Sequence, residues 1–344
     1  MSGILERKTS HLDLCVAEDV EHRGGTLLDE VQLLHDALPE LALEEVELAT
    51  TLFGRRLAAP LFVSGMTGGT PAAAAVNRAL AAVAQKCGLG MGVGSQRAML
   101  ERPETAATYR LRAVAPDIVV LANLGAVQAR DGGAVRVREL VDAIEADALC
   151  IHLNVAQELV QAEGDRDFRG CLDAIATLAA TLPVPVVAKE TGCGLSPGVL
   201  ERLRAAGVAW VDVSGAGGTS WTGVEALRGP ARQRGLGEEL REWGIPTAAS
   251  IVYAHRAGLG TIASGGIRSG LDAARALALG ADAVALALPF LRAYAAGGID
   301  GALETAERLV TALRAVLLLT GSRRVTELRR ARRILGPRLR AWID

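Results

Sequence analysis

The stretch "DALCIHLNVAQE", residues 147–158, decides how the chain is organised. It begins as a short apolar run, the signature of a buried strand. Its end changes character abruptly, because His152, Asn154, Gln157 and Glu158 crowd together there. An apolar run of this kind suits a parallel strand covered on both faces. Polar side chains gathered at its carboxyl end suit a site built where such strands stop.

The same pattern recurs along the chain. "PLFVSGM" (60–66), "GMGVGSQ" (90–96), "DIVVLANLG" (117–125), "PVVAKE" (185–190), "WVDVSGA" (210–216), "TIASGG" (261–266) and "AVALALP" (283–289) all read as buried strands. Amphipathic segments lie between most of them. "AAAAVNRALAAVAQKCG" has helical periodicity and stops at Gly88, and "SPGVLERLRAAG" opens on Ser196 and Pro197 and closes on Gly207. "SGLDAARALALG" starts at Ser269 and closes on Gly280. Eight strands alternating with helices predict an α/β chain folded as a (β/α)₈ TIM barrel. An open doubly wound sheet is the second choice, but it gathers its polar loops at one switch point. Here nearly every strand ends in polar or glycine-rich residues. Residues 1–59 read as an extension packed on the barrel and residues 60–344 as the barrel itself. The basic tail "SRRVTELRRARRILGPRLRAWID" reads as one amphipathic helix.

Composition narrows the function. The 344 residues carry 37 Lys+Arg against 39 Asp+Glu, a net charge of −2, so no basic excess points to nucleic acid. The start, "MSGILERKTS", is charged early and lacks the apolar stretch of a secretory signal. Five scattered cysteines with no CxxC pair read as reduced thiols, which favours a cytoplasmic protein. Cys193 follows a strand, but no adjacent base marks it as a nucleophile. Lysine occurs only at 8, 86 and 189 and asparagine only at 77, 123 and 154, and several of these fall at strand ends.

The strand ends sort by chemistry. The glycine-rich ends of the last three strands, with Thr219 and Arg268 nearby, suit a phosphate cradle, where backbone N–H groups and helix N-termini meet an anion. Lys189 ends an apolar strand and points into the barrel mouth, toward an anion, an electron-rich ring or a carbonyl; a Schiff-base role is the rival. Pairing with Glu190 is disfavoured, since neighbours on a strand face opposite sides. Arg97, with Arg7 and Lys8, suits a second anion site. Glu158 beside amides suits a hard cation such as Mg²⁺ that also binds phosphate oxygens.

Taken together, "RKTSHL", "SGMTGG", "GVGSQRA", "NLGA", "HLNVAQE", "EGDRDF", "KETGCGLS", "DVSGAGGTSW", "GIPTAAS" and "SGGIRSGLDAARALALGADAV" resemble the type 2 isopentenyl-diphosphate isomerases, in order, from about residue 7 to 321. The resemblance implies a flavin-dependent barrel that interconverts isopentenyl and dimethylallyl diphosphate in isoprenoid biosynthesis. It also implies FMN, Mg²⁺, NADPH as reductant, and a homo-oligomer, tetramer or octamer. It further places FMN against Gly65, Met66, Thr67, Ser95, Asn123, Lys189, Ser214, Thr219, Gly265, Gly266, Arg268, Ala287 and Leu288. It assigns the substrate diphosphate to Arg7, Lys8, Ser95, Gln96 and Arg97, and the reacting end to His152, Asn154, Gln157 and Lys189. Gln157 also counts as a substrate contact, and Glu158 holds the metal. Gly65, Ala162 and Leu288 depart from the family pattern, and Leu288 removes a charge expected near the flavin phosphate. Two other readings are an FMN-dependent 2-hydroxyacid oxidase and a flavin- or phosphate-binding barrel without turnover. The oxidases carry a histidine near the sixth strand, whereas this strand ends "SGAGGTSW".

Overall fold

The structure, a computed structural model, describes residues 3–344, with side chains from residue 9 onward. Its centre is a closed barrel of eight parallel strands: β1 (Leu61–Val63), β2 (Gly90–Gly92), β3 (Val120–Gly125), β4 (Ala148–Leu153), β5 (Val186–Glu190), β6 (Trp210–Asp212), β7 (Gly260–Ala263) and β8 (Ala283–Leu286). They pair in chain order, and β8 closes on β1 through Val284 opposite Leu61. All eight expected strands are present. The hydrogen-bonded parts of β1, β2 and β6 are only three residues each, because the chain turns into glycine-rich loops where longer strands were read.

Helices wrap the barrel where the periodicity placed them. Pro71–Cys87 starts on Thr70, whose hydroxyl accepts the Ala73 N–H, and ends on Gly88 at φ 63°. Pro197–Ala205 follows Ser196, although that side chain makes no capping bond. Gly270–Ala278 begins with a reciprocal box between Ser269 and Asp272. The final long helix, Leu288–Leu319, is broken at Gly297 and Gly298.

The extension does more than lie on the outside. Thr50–Leu52 and Arg55–Leu57 form a hairpin whose turn residues, Phe53 and Gly54, both have positive φ. Leu52 and Leu57 pack with Phe62, Leu121, Cys150 and Val187 of the barrel interior. The hairpin therefore plugs the barrel, and Phe53 meets Trp210 at 4.9 Å between ring centres. The tail departs from expectation. It is not one helix: a 3₁₀ turn (Val325–Arg330) leads to a strand (Arg333–Leu335) and a short helix (Pro337–Ile343). Gly336 separates the last two, and the strand pairs antiparallel with Val31–Leu33 of the extension. Basic residues at helical spacing hid a strand whose partner lies some 300 residues earlier.

Among the described residues no helix is long and apolar enough to cross a membrane. Within the barrel, Phe62 fills space that residue 90 leaves open: a Cβ on Gly90 would sit 2.2 Å from the Phe62 ring. Gly90→Ala should therefore cost about 1–3 kcal/mol of stability through overpacking. A urea melt reads this, and an unchanged midpoint would show that the ring yields without cost.

Candidate active site

A cavity opens at the carboxyl ends of the strands, and loops from all parts of the barrel line it. The parallel register explains the convergence. Gly125 lies opposite His152, His152 opposite Lys189, and Lys189 opposite Asp212, so far-apart stretches of chain share one ring. Gly65, Met66, Ser95, Arg97, Asn123 and Lys189 line this cavity, as do His152, Asn154, Gln157 and Glu158. On its far side stand Ser214, Thr219, Gly265, Gly266, Arg268, Ala287 and Leu288.

Three expectations fare differently. The side chains of Arg7 and Lys8 lie outside the described residues. Gln96 does not reach the cavity: it is fully buried, its amide donates to Leu140 O, and its oxygen accepts the Asn123 N–H. It braces β3 from behind, because Arg97 and Gln96 leave the loop on different sides. Thr67 is also turned inward, with a buried hydroxyl that has no partner among the described residues.

At the polar end, orientation is fixed by hydrogen bonds. Asn123 donates its Nδ2 to Val93 O, which leaves its Oδ1 to face His152 Nδ1 at 2.9 Å. A carbonyl oxygen only accepts, so His152 Nδ1 carries a proton and donates it to Asn123. Asn154 donates to Glu158 Oε1 at 2.8 Å, and the Asp165 N–H donates to Glu158 Oε2 at 2.7 Å. Gln157 donates to Glu225 Oε1 at 3.1 Å. Glu225 is the residue that sequence reasoning missed. It is buried on the helix Trp221–Arg228 and also takes His11 Nε2 at 2.9 Å and Arg228 Nε at 2.9 Å. Burial pushes its pKa up, but the His11 and Gln157 hydrogen bonds and the Arg228 charge outweigh this and hold it below the ordinary value. His11, whose ring meets Trp221 edge-on at 5.2 Å, joins the extension to this end of the cavity. The only advance sign was a carboxylate inside an otherwise apolar helix turn.

Lys189 pairs with Asp212 at 2.9 Å, not with Glu190. Ion-paired in this way it is a cation, which suits anion or ring recognition better than Schiff-base chemistry. Glu190 turns the other way, and one of its oxygens, Oε2, accepts the N–H groups of Thr191, Gly192, Cys193 and Gly194. That carboxylate shapes the loop whose Thr191 and Gly192 line the cavity.

The glycine-rich strand ends turn sharply through left-handed backbone. Gly265 and Gly266 have φ of 96° and 72°, and Ser214 holds a left-handed φ of 33° that costs a non-glycine residue energy. Two helices begin beside them, after Ser269 and at Leu288. Arg268 lines this end but is held by Glu21, which also pairs with Arg292 at 3.1 Å. Leu288, where a charge was expected, is buried in a small apolar cluster with Cys15, Val20, Val224 and Leu291. It packs the extension onto the barrel instead of meeting an anion. Glu158 has no cationic partner among the described residues, and no cluster of three potential metal-ligating acids, histidines or cysteines occurs there.

Known proteins are similar to this chain in sequence and in fold. An isopentenyl-diphosphate delta-isomerase of Synechococcus is 50% identical over 322 residues, covering 92% of this chain and 91% of its own length. Enzymes of the same name from Methanoregula boonei and Stutzerimonas stutzeri are 44% and 48% identical, covering 98% and 96% of this chain and 96% and 97% of their own. The chain belongs to the isopentenyl-diphosphate delta-isomerase family. The profile of the FMN-dependent dehydrogenases also matches it, over residues 97–334. Solved structures of mandelate oxidase share the fold: one superposes with a TM-score of 0.67 at 22% identity, covering 97% of this chain and 100% of that one.

Burial raises the pKa of Glu190 from 4.5 to about 7, against the pull of the Cys193, Gly192 and Thr191 N–H groups and of Lys189. A raised folded value means stability that is fully present below pH ~4.5 and lost as pH rises through about 7. Glu190→Gln keeps an oxygen for the four N–H groups and removes the titration. Relative to wild type, its unfolding free energy should therefore gain up to ~1.4 kcal/mol per pH unit across that window. Parallel pH profiles for the two proteins would contradict the assignment.

Proposed function

We propose that the cavity binds FMN and an allylic or homoallylic diphosphate, and that the chain interconverts isopentenyl and dimethylallyl diphosphate. The observation that carries this reading is the division of one cavity into a glycine-rich end and the 152–158 cluster, with Lys189 between them. The residues fit FMN. Backbone N–H groups of the Gly265–Arg268 turn and the start of the helix at Leu288 suit its phosphate. Lys189 suits the electron-rich edge of the ring.

Bound FMN supplies, in its reduced state, an acid and a base next to the substrate. NADPH serves as the reductant that produces this state. The reaction places a proton on the terminal methylene of the alkene and takes one from the neighbouring methylene, with no net redox change. The chain's residues orient and enclose. Arg97, held only loosely by Glu101 at 3.5 Å and Asp165 at 3.8 Å, can turn to the diphosphate. Arg7 and Lys8 add charge there. Glu158, which lines the cavity and has no cationic partner among the described residues, provides one carboxylate for Mg²⁺, whose other ligands are water and phosphate oxygens. His152 presents Nε2 toward the substrate, and Gln157, fixed by Glu225, orients the alkene. The helix Gly3–Ala17 contributes His11, Leu12 and Cys15 to the wall and helps exclude water. The protein acts in the cytoplasm as a homo-oligomer.

The oxidase fold invites one comparison. The sixth-strand loop, "SGAGGTSW", offers no imidazole to take a proton from a 2-hydroxy acid. The test is an absorbance spectrum of the purified protein followed by an anaerobic assay with isopentenyl diphosphate, Mg²⁺ and NADPH. Bound flavin with conversion to dimethylallyl diphosphate supports the reading. Flavin that leaves the diphosphate unchanged, or that lactate or glycolate bleaches, overturns it.

Two variants sharpen this. Gln157→Ala should retain flavin and lose about 10²-fold or more of the isomerase rate, in line with a lost positioning or proton-handling group; normal turnover removes Gln157 from the site. Glu158→Gln should raise the Mg²⁺ concentration for half-maximal rate at least tenfold with flavin content unchanged, and an unaltered Mg²⁺ dependence would place the metal elsewhere.

A further inference from the structure

Asp212 has no place in the chemistry above, yet it contacts three residues that line the cavity. It sits at the end of β6 and is only 3% exposed. Its Oδ2 takes the Lys189 ammonium at 2.9 Å. Its Oδ1 takes the Ser264 hydroxyl at 2.5 Å and the Ser214 N–H at 3.3 Å. Lys189, Ser264 and Ser214 come from three successive strand ends, and all three line the cavity. The strand register makes the arrangement unavoidable, since Lys189 and Asp212 are direct partners across β5 and β6.

The geometry points to Asp212 as the positioning residue of the flavin site, acting on the cofactor through Lys189. Ser264 and the Ser214 N–H pin the carboxylate, and the pinned carboxylate fixes where the ammonium sits. Every group facing it is a donor, so a carboxylate with two accepting oxygens satisfies all three. An amide replaces one accepting oxygen with a donor and must break at least one arm. A lysine that loses this buried partner is left as an uncompensated charge, which either drags in water or swings away. Conversely, removing the lysine alone strands the carboxylate below the flavin, where its negative charge opposes an electron-rich ring. The two substitutions should therefore partly cancel.

This inference rests on the flavin reading of the cavity. Its test uses FMN alone, without substrate, on the full chain: the FMN dissociation constant and the visible flavin spectrum of wild type, Asp212→Asn, Lys189→Met and the double variant. Asp212→Asn should weaken FMN at least tenfold and shift the flavin bands. Lys189→Met should weaken it by a similar factor. The double variant should bind at least fivefold tighter than Lys189→Met, the sign-reversed coupling expected of a charge pair. A double variant weaker than both singles, with losses that simply multiply, overturns the proposal and makes Asp212 a support of the barrel only. If Asp212→Asn does not fold, Ser264→Ala keeps both charges while freeing the carboxylate. A threefold or greater loss of FMN affinity in it supports the proposal, and unchanged affinity and spectrum overturn it. Wild-type protein that binds no FMN removes the reading of the site itself, whereas tight wild-type binding with an unmoved Asp212→Asn removes this inference alone.

Discussion

The in-register closure of eight parallel strands is the constraint on which everything else depends. Once Val284 pairs with Leu61, the ends of all eight strands are forced into one ring. A one-residue slip between β5 and β6 would part Lys189 from Asp212 and send one of them out of the barrel. The hairpin at Thr50–Leu57 seals the opposite end with Leu52 and Leu57, so the mouth is the open end. Burial of apolar side chains supplies the stability, and the register converts that stability into placement of polar groups.

Within the ring, charge is arranged so that little is left unmatched. Lys189 has Asp212, Glu225 has His11, Gln157 and Arg228, and Glu190 has four backbone N–H groups. Glu158 stands apart: among the described residues its carboxylate is served by neutral donors, and it lines the cavity. Pinned groups cost no reorganisation when a ligand arrives, and an unmatched carboxylate is where a cation gains most. The extension is bound into this arrangement at several points. Glu21 bridges Arg268 and Arg292, Arg292 also reaches Cys15 O and Glu18 O, and Leu288 packs beneath Cys15 and Val20.

Much of this was legible in the sequence, and for identifiable reasons. Strands buried on both faces leave continuous apolar runs, and helix ends at Gly88 and Ser269 carry their signals within a few residues. His152, Asn154 and Glu158 stood out because they interrupt such a run. What was hidden depends on partners far away in the chain. Asp212 sits in "WVDVSGA" as one acid in an apolar strand, and its meaning appears only when β5 lies beside it. Glu225 looks like an ordinary helix residue until His11 arrives from 214 positions earlier. Gln96 counted as a ligand through the family resemblance, but it neighbours Ser95 and Arg97 in a loop whose residues can face opposite sides, and its side chain is buried. The tail failed for the same reason: helical spacing of arginines is visible locally, and the strand partner at Val31–Leu33 is not.

The most direct measurement is a structure of the chain with FMN, Mg²⁺ and inorganic pyrophosphate. The account predicts a ring system between Lys189 and Gln157, its phosphate on the Gly265–Arg268 turn, and the pyrophosphate at Arg97 with the metal on Glu158. Flavin density outside this cavity, or flavin phosphate lodged against the 152–158 cluster, would contradict it.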